Sequence, residues 1–94
     1  MDYQKWLKSV SSQYNVTESF LIQVLEEALV DIDTTIALFE NGKILFPQFY
    51  QSVRGTSVTM CFKNVLSVLD AKEFNLNRLK EELSWYRKSM LETV

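Results

Sequence analysis

Histidine is absent from this chain of 94 residues, and there is a single cysteine, Cys61. Without histidine, neither a Ser-His-Asp nor a Cys-His site can form, and the commonest metal ligand is missing. One thiol cannot form an intramolecular disulfide, which is typical of a reducing compartment, so we expect a cytoplasmic protein. The apolar neighbours of Cys61 favour a buried thiol. We therefore predict a protein that is not an enzyme and needs no cofactor.

Glycine and proline are also scarce, with two residues and one residue respectively, whereas 47% of the chain is hydrophobic. This composition predicts regular structure nearly from end to end, in a single compact domain over residues 1–94. No apolar run approaches the ~20 residues that span a bilayer, and the chain start lacks a signal-peptide core, so we expect no membrane contact. The net charge of -2 disfavours non-specific nucleic-acid binding.

Motifs for small-molecule or metal chemistry are missing as well. The two glycines, Gly42 and Gly55, form no phosphate-binding loop, so no small-molecule substrate is evident. Asp31 and Asp33 could be imagined as a carboxylate or hard-cation site. A calcium loop needs more oxygen ligands and a glycine at its sharp turn. These aspartates are therefore better interpreted as a solvated face.

Apolar residues at helical spacing predict four helices. Their expected ranges are residues 2–13, a helix from residue 17 to about 31, residues 57–71 and residues 76–92. Each start has a capping candidate: Asp2, then Asn15 or Thr17, then Thr56 or Ser57, and finally Asn75 or Asn77. Between these helices, residues 48–56 are predicted to be a connection that contains either a third short strand or one turn of helix, with Gly55 at a turn.

The segment after Val30 allows two interpretations. Asn41-Gly42 between β-prone runs predicts a small hairpin over residues 35–46, with Glu40 facing Lys43 across it. Alternatively, the second helix continues to Phe39, and Asn41-Gly42 is its C-cap. We prefer the hairpin, because residues 31–36 are mediocre helix formers. The preferred fold class is therefore predominantly helical α+β, and the alternative is an all-α bundle.

The last predicted helix carries an apolar seam that could bind a partner. Its members, spaced alternately three and four residues apart as in a heptad, are Leu76, Leu79, Leu83, Tyr86 and Met90. Trp85 lies off the centre of this seam, and an aromatic residue at the edge of an apolar stripe is a typical binding anchor. The seam could bind a second copy of the chain or another protein, or it could pack inside the domain with Trp85 on the first helix.

A second candidate surface is basic. Lys43, Arg54 and Lys63 lie near Phe49 and Tyr50, and interleaved basic and aromatic residues are typical of surfaces that stack nucleic-acid bases. Few charges are involved, however, and the two aromatic residues are expected in the core. These two observations disfavour nucleic acid as the partner.

Residues 16–46 contain one further pattern. The helix sequence Leu21-Ile22-x-x-Leu25-Glu26-Glu27-Ala28-Leu29-Val30 is followed by Ile36 to Phe46 around Asn41-Gly42. This order resembles the start of the NusA N-terminal domain, in which a helix is followed by a strand, a glycine-containing turn and another strand. Domains of that family dock on RNA polymerase. The resemblance covers about a third of the chain and implies a transcription-associated regulator.

Taken together, these patterns favour a small non-catalytic regulatory or adaptor protein. We expect it to act through protein–protein contact, with the C-terminal seam offering a route to a homodimer. The alternative is a regulator that contacts RNA polymerase or nucleic acid.

Overall fold

The computed structural model describes residues 2–92, and in that range the chain folds into five α-helices. They are α1 (Tyr3–Tyr14), α2 (Glu18–Glu40), α3 (Phe46–Thr59), α4 (Lys63–Leu69) and α5 (Leu76–Glu92). The described residues contain no strand, so the all-α alternative is confirmed and the preferred α+β class with four helices is wrong. No helix in this range is long and apolar enough to cross a membrane.

The predicted hairpin over residues 35–46 is replaced by the end of α2. Gly42 adopts a positive φ of 70°, and the Lys43 N–H donates to the Leu38 carbonyl at 2.8 Å. The Gly42 N–H donates to the Phe39 carbonyl at 3.1 Å, which completes a Schellman C-cap. Glu40 pairs with Lys80 of α5 rather than with Lys43. Asn-Gly therefore ends a helix here, and the strand–turn–strand that the NusA resemblance implied is not formed.

Residues 48–56, predicted to be a connection, lie inside α3. Pro47 occupies the first turn of this helix, where its missing N–H would have no intrahelical partner. The Gln48 side chain accepts a hydrogen bond from the Leu45 N–H at 3.0 Å and so caps the start. Phe49 and Val53 lie one turn apart and are fully buried. The apolar residues of this segment therefore follow helical spacing.

The single helix predicted over residues 57–71 is divided into two. Cys61 adopts a left-handed φ of 57°, and the Phe62 N–H donates to the Ser57 carbonyl at 2.8 Å, so α3 ends in a second Schellman cap. Cysteine rarely adopts this conformation. The Trp6 indole Nε1 donates to the Met60 and Cys61 carbonyls at 3.2 and 3.3 Å, which fixes this turn to α1.

The buried side chains form one hydrophobic core to which all five helices contribute. Trp6 of α1 lies at its centre, with its ring 5.9 Å from Phe62 and 5.3 Å from Tyr86. A second aromatic group lies between α2, α3 and the loop before α5, where Phe49 contacts Phe39 and Phe74. Helix α2 packs against α1, α3 and α5, so both of its ends are positioned by neighbours.

The two glycines form a matched pair for a stability test. A Cβ built at either Gly42 or Gly55 meets no atom within 4 Å, so the substitutions differ in backbone conformation and not in space. Gly55 is helical, and we expect Gly55→Ala to raise the free energy of unfolding by about 0.5–1 kcal/mol. Gly42→Ala places a Cβ at positive φ and should lower it by about 1 kcal/mol. Urea unfolding followed by circular dichroism measures both, and equal shifts would contradict the assignment of Gly55 to a helix.

Candidate protein-binding surface

The C-terminal seam is largely part of the core. Leu79, Leu83 and Tyr86 are at most 1% exposed. Leu76 and Met90 are partly buried and pack against the same core. In this structure the seam faces the interior of the protein, so its central residues are not available to a partner.

Trp85 is partly buried and packs on α1, as one of the two sequence interpretations expected. Its ring lies edge-on to Tyr3, with centroids 6.1 Å apart, and edge-on to Tyr86 at 4.8 Å. This side chain closes the gap between α1 and α5 and is therefore accounted for by packing.

A polar network joins α4 to α5 at the edge of the core. The Tyr86 hydroxyl donates to Asn64 Oδ1 at 2.6 Å, and Asn64 Nδ2 donates to Glu82 Oε2 at 2.7 Å. Arg78 completes it with an i,i+4 ion pair to Glu82 at 3.4 Å. Burial raises the pKa of Tyr86 well above its ordinary value of 10.0, and the Glu82 carboxylate acts in the same direction. The network keeps this hydroxyl protonated and in place.

Alkaline pH should therefore destabilise the protein through Tyr86. Its pKa is higher in the folded state than in the unfolded state, so the unfolded state loses this proton first as the pH rises. The contribution is constant below about pH 10 and declines above it. We expect the free energy of unfolding to fall more steeply between about pH 10 and about pH 12 in the wild type than in Tyr86→Phe. Parallel slopes in urea titrations across this range would refute the assignment.

The three basic residues proposed to contact nucleic acid are exposed and lie at different points along the fold. Lys43 precedes α3 and Lys63 follows it, so a helix of about 20 Å separates them. Arg54 lies between them on α3, where its charge acts on the Tyr50 hydroxyl. That hydroxyl donates to Asp70, which raises the pKa of Tyr50, and Phe49 is fully buried. Phe49 is therefore not available to stack on a base, and nucleic-acid contact through Lys43, Arg54 and Lys63 stays a prediction.

Asp31 and Asp33, which were considered as a cation site, differ in what they contact. Asp33 forms an ion pair with Arg87 of α5, and Asp31 is exposed without an ion-pair partner among residues 2–92. In that range no group of three or more His, Cys, Asp or Glu side chains could hold a metal ion.

The exposed surface instead carries a concave apolar site. We call it the apolar hollow: it has a volume of about 300 Å³ and lies between the start of α2 and the end of α3. Its exposed walls are Tyr14 and Phe20, which are 46% and 52% accessible to solvent. The buried side chains of Leu21 and Met60 close it from below. Two large aromatic rings are thus held beside a site that nothing in the described chain fills.

Local caps explain how the sequence builds these walls. Asn15 ends α1 at a φ of 54°, a conformation that asparagine tolerates better than most residues. Thr17 accepts a hydrogen bond from the Phe20 N–H at 3.1 Å and begins α2 almost immediately. This short turn brings Tyr14 and Phe20 to the same side of the protein. The Tyr14 hydroxyl then donates to the Thr59 carbonyl at 2.7 Å, so its ring is held in place against the end of α3.

A second hollow of about 440 Å³ continues from the first. The two share Val24, Thr59 and Met60. We call it the acidic hollow, because Glu27 and Asp31 lie on its α2 side. Opposite them α3 presents the small residues Ser52, Gly55 and Thr56. The two hollows together form the α2–α3 groove, which is apolar at one end and acidic at the other.

Sequence reasoning placed no binding role on this groove. Leu21 and Val24 follow the helical spacing of the apolar face of α2, but the α3 side could not be recognised while residues 48–56 were interpreted as a connection. The signal in the sequence was Phe20, a large apolar residue that lies on the polar face of α2. Comparison of the chain with protein-family models, curated proteins and solved structures finds no match in any of the three.

Proposed function

We propose that this protein is a non-catalytic binding module that recognises another protein through the α2–α3 groove. The supporting observation is the pair of exposed aromatic rings, Tyr14 and Phe20, on either side of the apolar hollow. Singly exposed apolar residues are common on protein surfaces, whereas apolar residues grouped around a concavity are typical of interaction sites.

Covering the aromatic rings of this surface with a partner is energetically favourable. Aromatic anchors with few rotatable bonds dominate most protein interfaces, since burying each one removes a large apolar area from water. Tyr14 is already held by its hydrogen bond to Thr59. Little side-chain entropy is therefore lost when a partner covers this ring.

This proposal relocates the binding surface that the sequence suggested. The C-terminal seam can bind a second copy only if Leu79, Leu83 and Tyr86 leave the core, which would expose the largest part of the α5 interface. Binding at the groove leaves the helical core unchanged. An adaptor or regulatory role remains the functional class that we propose, with the contact moved from α5 to α2 and α3.

Site-specific photocrosslinking tests the proposal directly. The photoreactive amino acid p-benzoylphenylalanine replaces Phe20 in the full chain, which is then irradiated in host cells. A matched control carries the same replacement at Leu91, which is 70% exposed and lies near the end of α5. We expect a discrete covalent adduct with another protein from position 20 and none from position 91, and this adduct should disappear when Tyr14→Ser is added.

Two results would count against the proposed function. If both positions give the same set of adducts, the Phe20 surface has no special affinity. If position 20 gives no adduct with any protein while the variant remains folded by circular dichroism, the groove is not a protein-binding surface in the cell.

A further inference from the structure

We infer that the partner segment is a cationic amphipathic helix, which places apolar side chains in the apolar hollow and lysine or arginine side chains in the acidic hollow. This inference rests on the proposed function and specifies the chemistry of its partner. Both surfaces of the groove are helices, and a helix lying in a groove between two helices is a recurrent mode of peptide recognition.

The order of chemistry along the groove sets the register of such a partner. Phe20 and Asp31 are eleven residues apart on α2, which corresponds to about 16 Å along the helix axis. A partner helix that lies parallel to this axis needs about three turns between its apolar anchor and its positive charges. Its apolar residues must also recur at spacings of three and four residues to stay on the groove side.

The carboxylates at the acidic end of the groove form no ion pair with a lysine or arginine of the described chain. Among residues 2–92 the ion pairs are Arg78–Glu82, Lys80–Glu40 and Arg87–Asp33. None of them involves Glu27 or Asp31, and no lysine or arginine lines either hollow. Glu26 lies beside them on α2 and adds a third unpaired carboxylate. The field at this end therefore favours a positively charged partner over a neutral or acidic one.

The same carboxylates are unfavourable for the helix that carries them. Glu27 and Asp31 are four residues apart, so they are neighbours on the helix surface and repel each other. A cationic partner would remove this repulsion. Neutralising the pair should therefore raise the urea midpoint of unfolding slightly and weaken binding. A variant that had lost structure would show a lower midpoint instead, so the two causes can be told apart.

Fluorescence anisotropy with defined peptides provides the test. The probe is a labelled helical peptide of about 16 residues, with leucine and alanine on one face near one end and lysine about three turns further along the same face. Its counterpart has glutamate in place of every lysine. We expect the cationic peptide to bind the wild-type protein at least about tenfold more tightly than the anionic peptide at low ionic strength, and this preference to shrink as salt is added.

Matched variants locate the effect in the groove. The double variant Glu27→Gln/Asp31→Asn should bind the cationic peptide about fivefold more weakly than the wild type, because two exposed ion pairs are lost. The control Glu73→Gln/Glu81→Gln makes the same change in net charge at exposed positions outside the groove, and it should bind as the wild type does. Phe20→Ser should weaken both the cationic and the anionic peptide, since it removes an apolar wall.

The remaining outcomes overturn the inference. It fails if the cationic peptide does not bind, if both peptides bind equally, or if the control double variant weakens binding as much as the groove variant. It also fails if sedimentation shows a dimer that Phe20→Ser converts to a monomer. A peptide failure combined with a protein adduct from position 20 rejects the cationic partner and leaves the proposed function standing. Loss of both the adduct and peptide binding rejects the two proposals together.

Discussion

Leu83→Glu is expected to abolish the folded state. Leu83 is 1% exposed in the centre of the core, and a carboxylate buried there without a partner is strongly disfavoured. The variant also loses about 2–5 kcal/mol of apolar packing. A domain of this size has a total stability of only about 5–14 kcal/mol, so the two effects together exceed or nearly match it. Circular dichroism at 222 nm should show loss of most of the helical signal at room temperature.

Leu91→Glu is the matched control for this experiment. It makes the same substitution on the same helix at a residue that is 70% exposed, and it should change the free energy of unfolding by no more than about 0.5 kcal/mol. The comparison also separates the two roles considered for the C-terminal seam. If the seam were an interface between copies, Leu83→Glu would stay folded and would only convert a dimer to a monomer in sedimentation.

Three helix starts were predictable, because each depends on one side chain and nearby backbone, whereas the start predicted at Thr56 or Ser57 was wrong, since both residues lie inside α3. Asp2 accepts from the Gln4 N–H, Thr17 from the Phe20 N–H and Asn75 from the Arg78 N–H, as the capping candidates suggested. The range of the last helix was predicted as residues 76–92 and is confirmed as Leu76–Glu92. Local chemistry was sufficient at these points.

The Asn41-Gly42 turn could not be assigned locally, because a hairpin and a helix C-cap both require a glycine with positive φ. Tertiary packing decides between them. Residues 31–36 are each about 0.5 kcal/mol less favourable in a helix than alanine, or about 3 kcal/mol in total. The helix buries Ile32 and Ile36 at 1% and 5% exposure, which contributes about 3–6 kcal/mol. An isolated two-stranded hairpin would in addition be only marginally stable.

The candidate site was less predictable than the helices for a related reason. The groove needs α3, and α3 was missed because Gly55 was interpreted as a turn in a segment rich in β-prone residues. Its buried residues Phe49, Val53, Ser57 and Met60 are spaced four, four and three apart, which is helical. The role of the C-terminal seam was left open between the core and a partner, because heptad spacing describes an apolar face but does not say whether the chain itself covers it.

Trp6→Phe should cause the second-largest loss of stability, because the indole N–H of Trp6 satisfies the end of α3. It donates to the carbonyls of both Met60 and Cys61, and phenylalanine has no donor to replace it. The Cys61 carbonyl also accepts from the Lys63 N–H at 3.0 Å, but the bond to the Met60 carbonyl is buried, so losing the donor should lower the free energy of unfolding by about 2–3 kcal/mol. Urea unfolding should show a lower midpoint with an unchanged slope, since the surface exposed on unfolding is nearly the same.

Trp85→Phe separates this hydrogen bond from the loss of ring size. The substitution is chemically identical, but Trp85 is only partly buried and contacts Tyr3 and Tyr86 through its ring, which phenylalanine retains in part. We expect a loss of less than about 1 kcal/mol.

The turn at residues 60–62 provides a second way to distinguish the two variants, because Cys61 is held there at a φ of 57° that cysteine disfavours. Without the indole donor this turn should relax first, so amide exchange at Cys61 and Phe62 should accelerate in Trp6→Phe and remain unchanged in Trp85→Phe. Equal losses of stability in the two variants would mean that the indole contributes only its volume to the core.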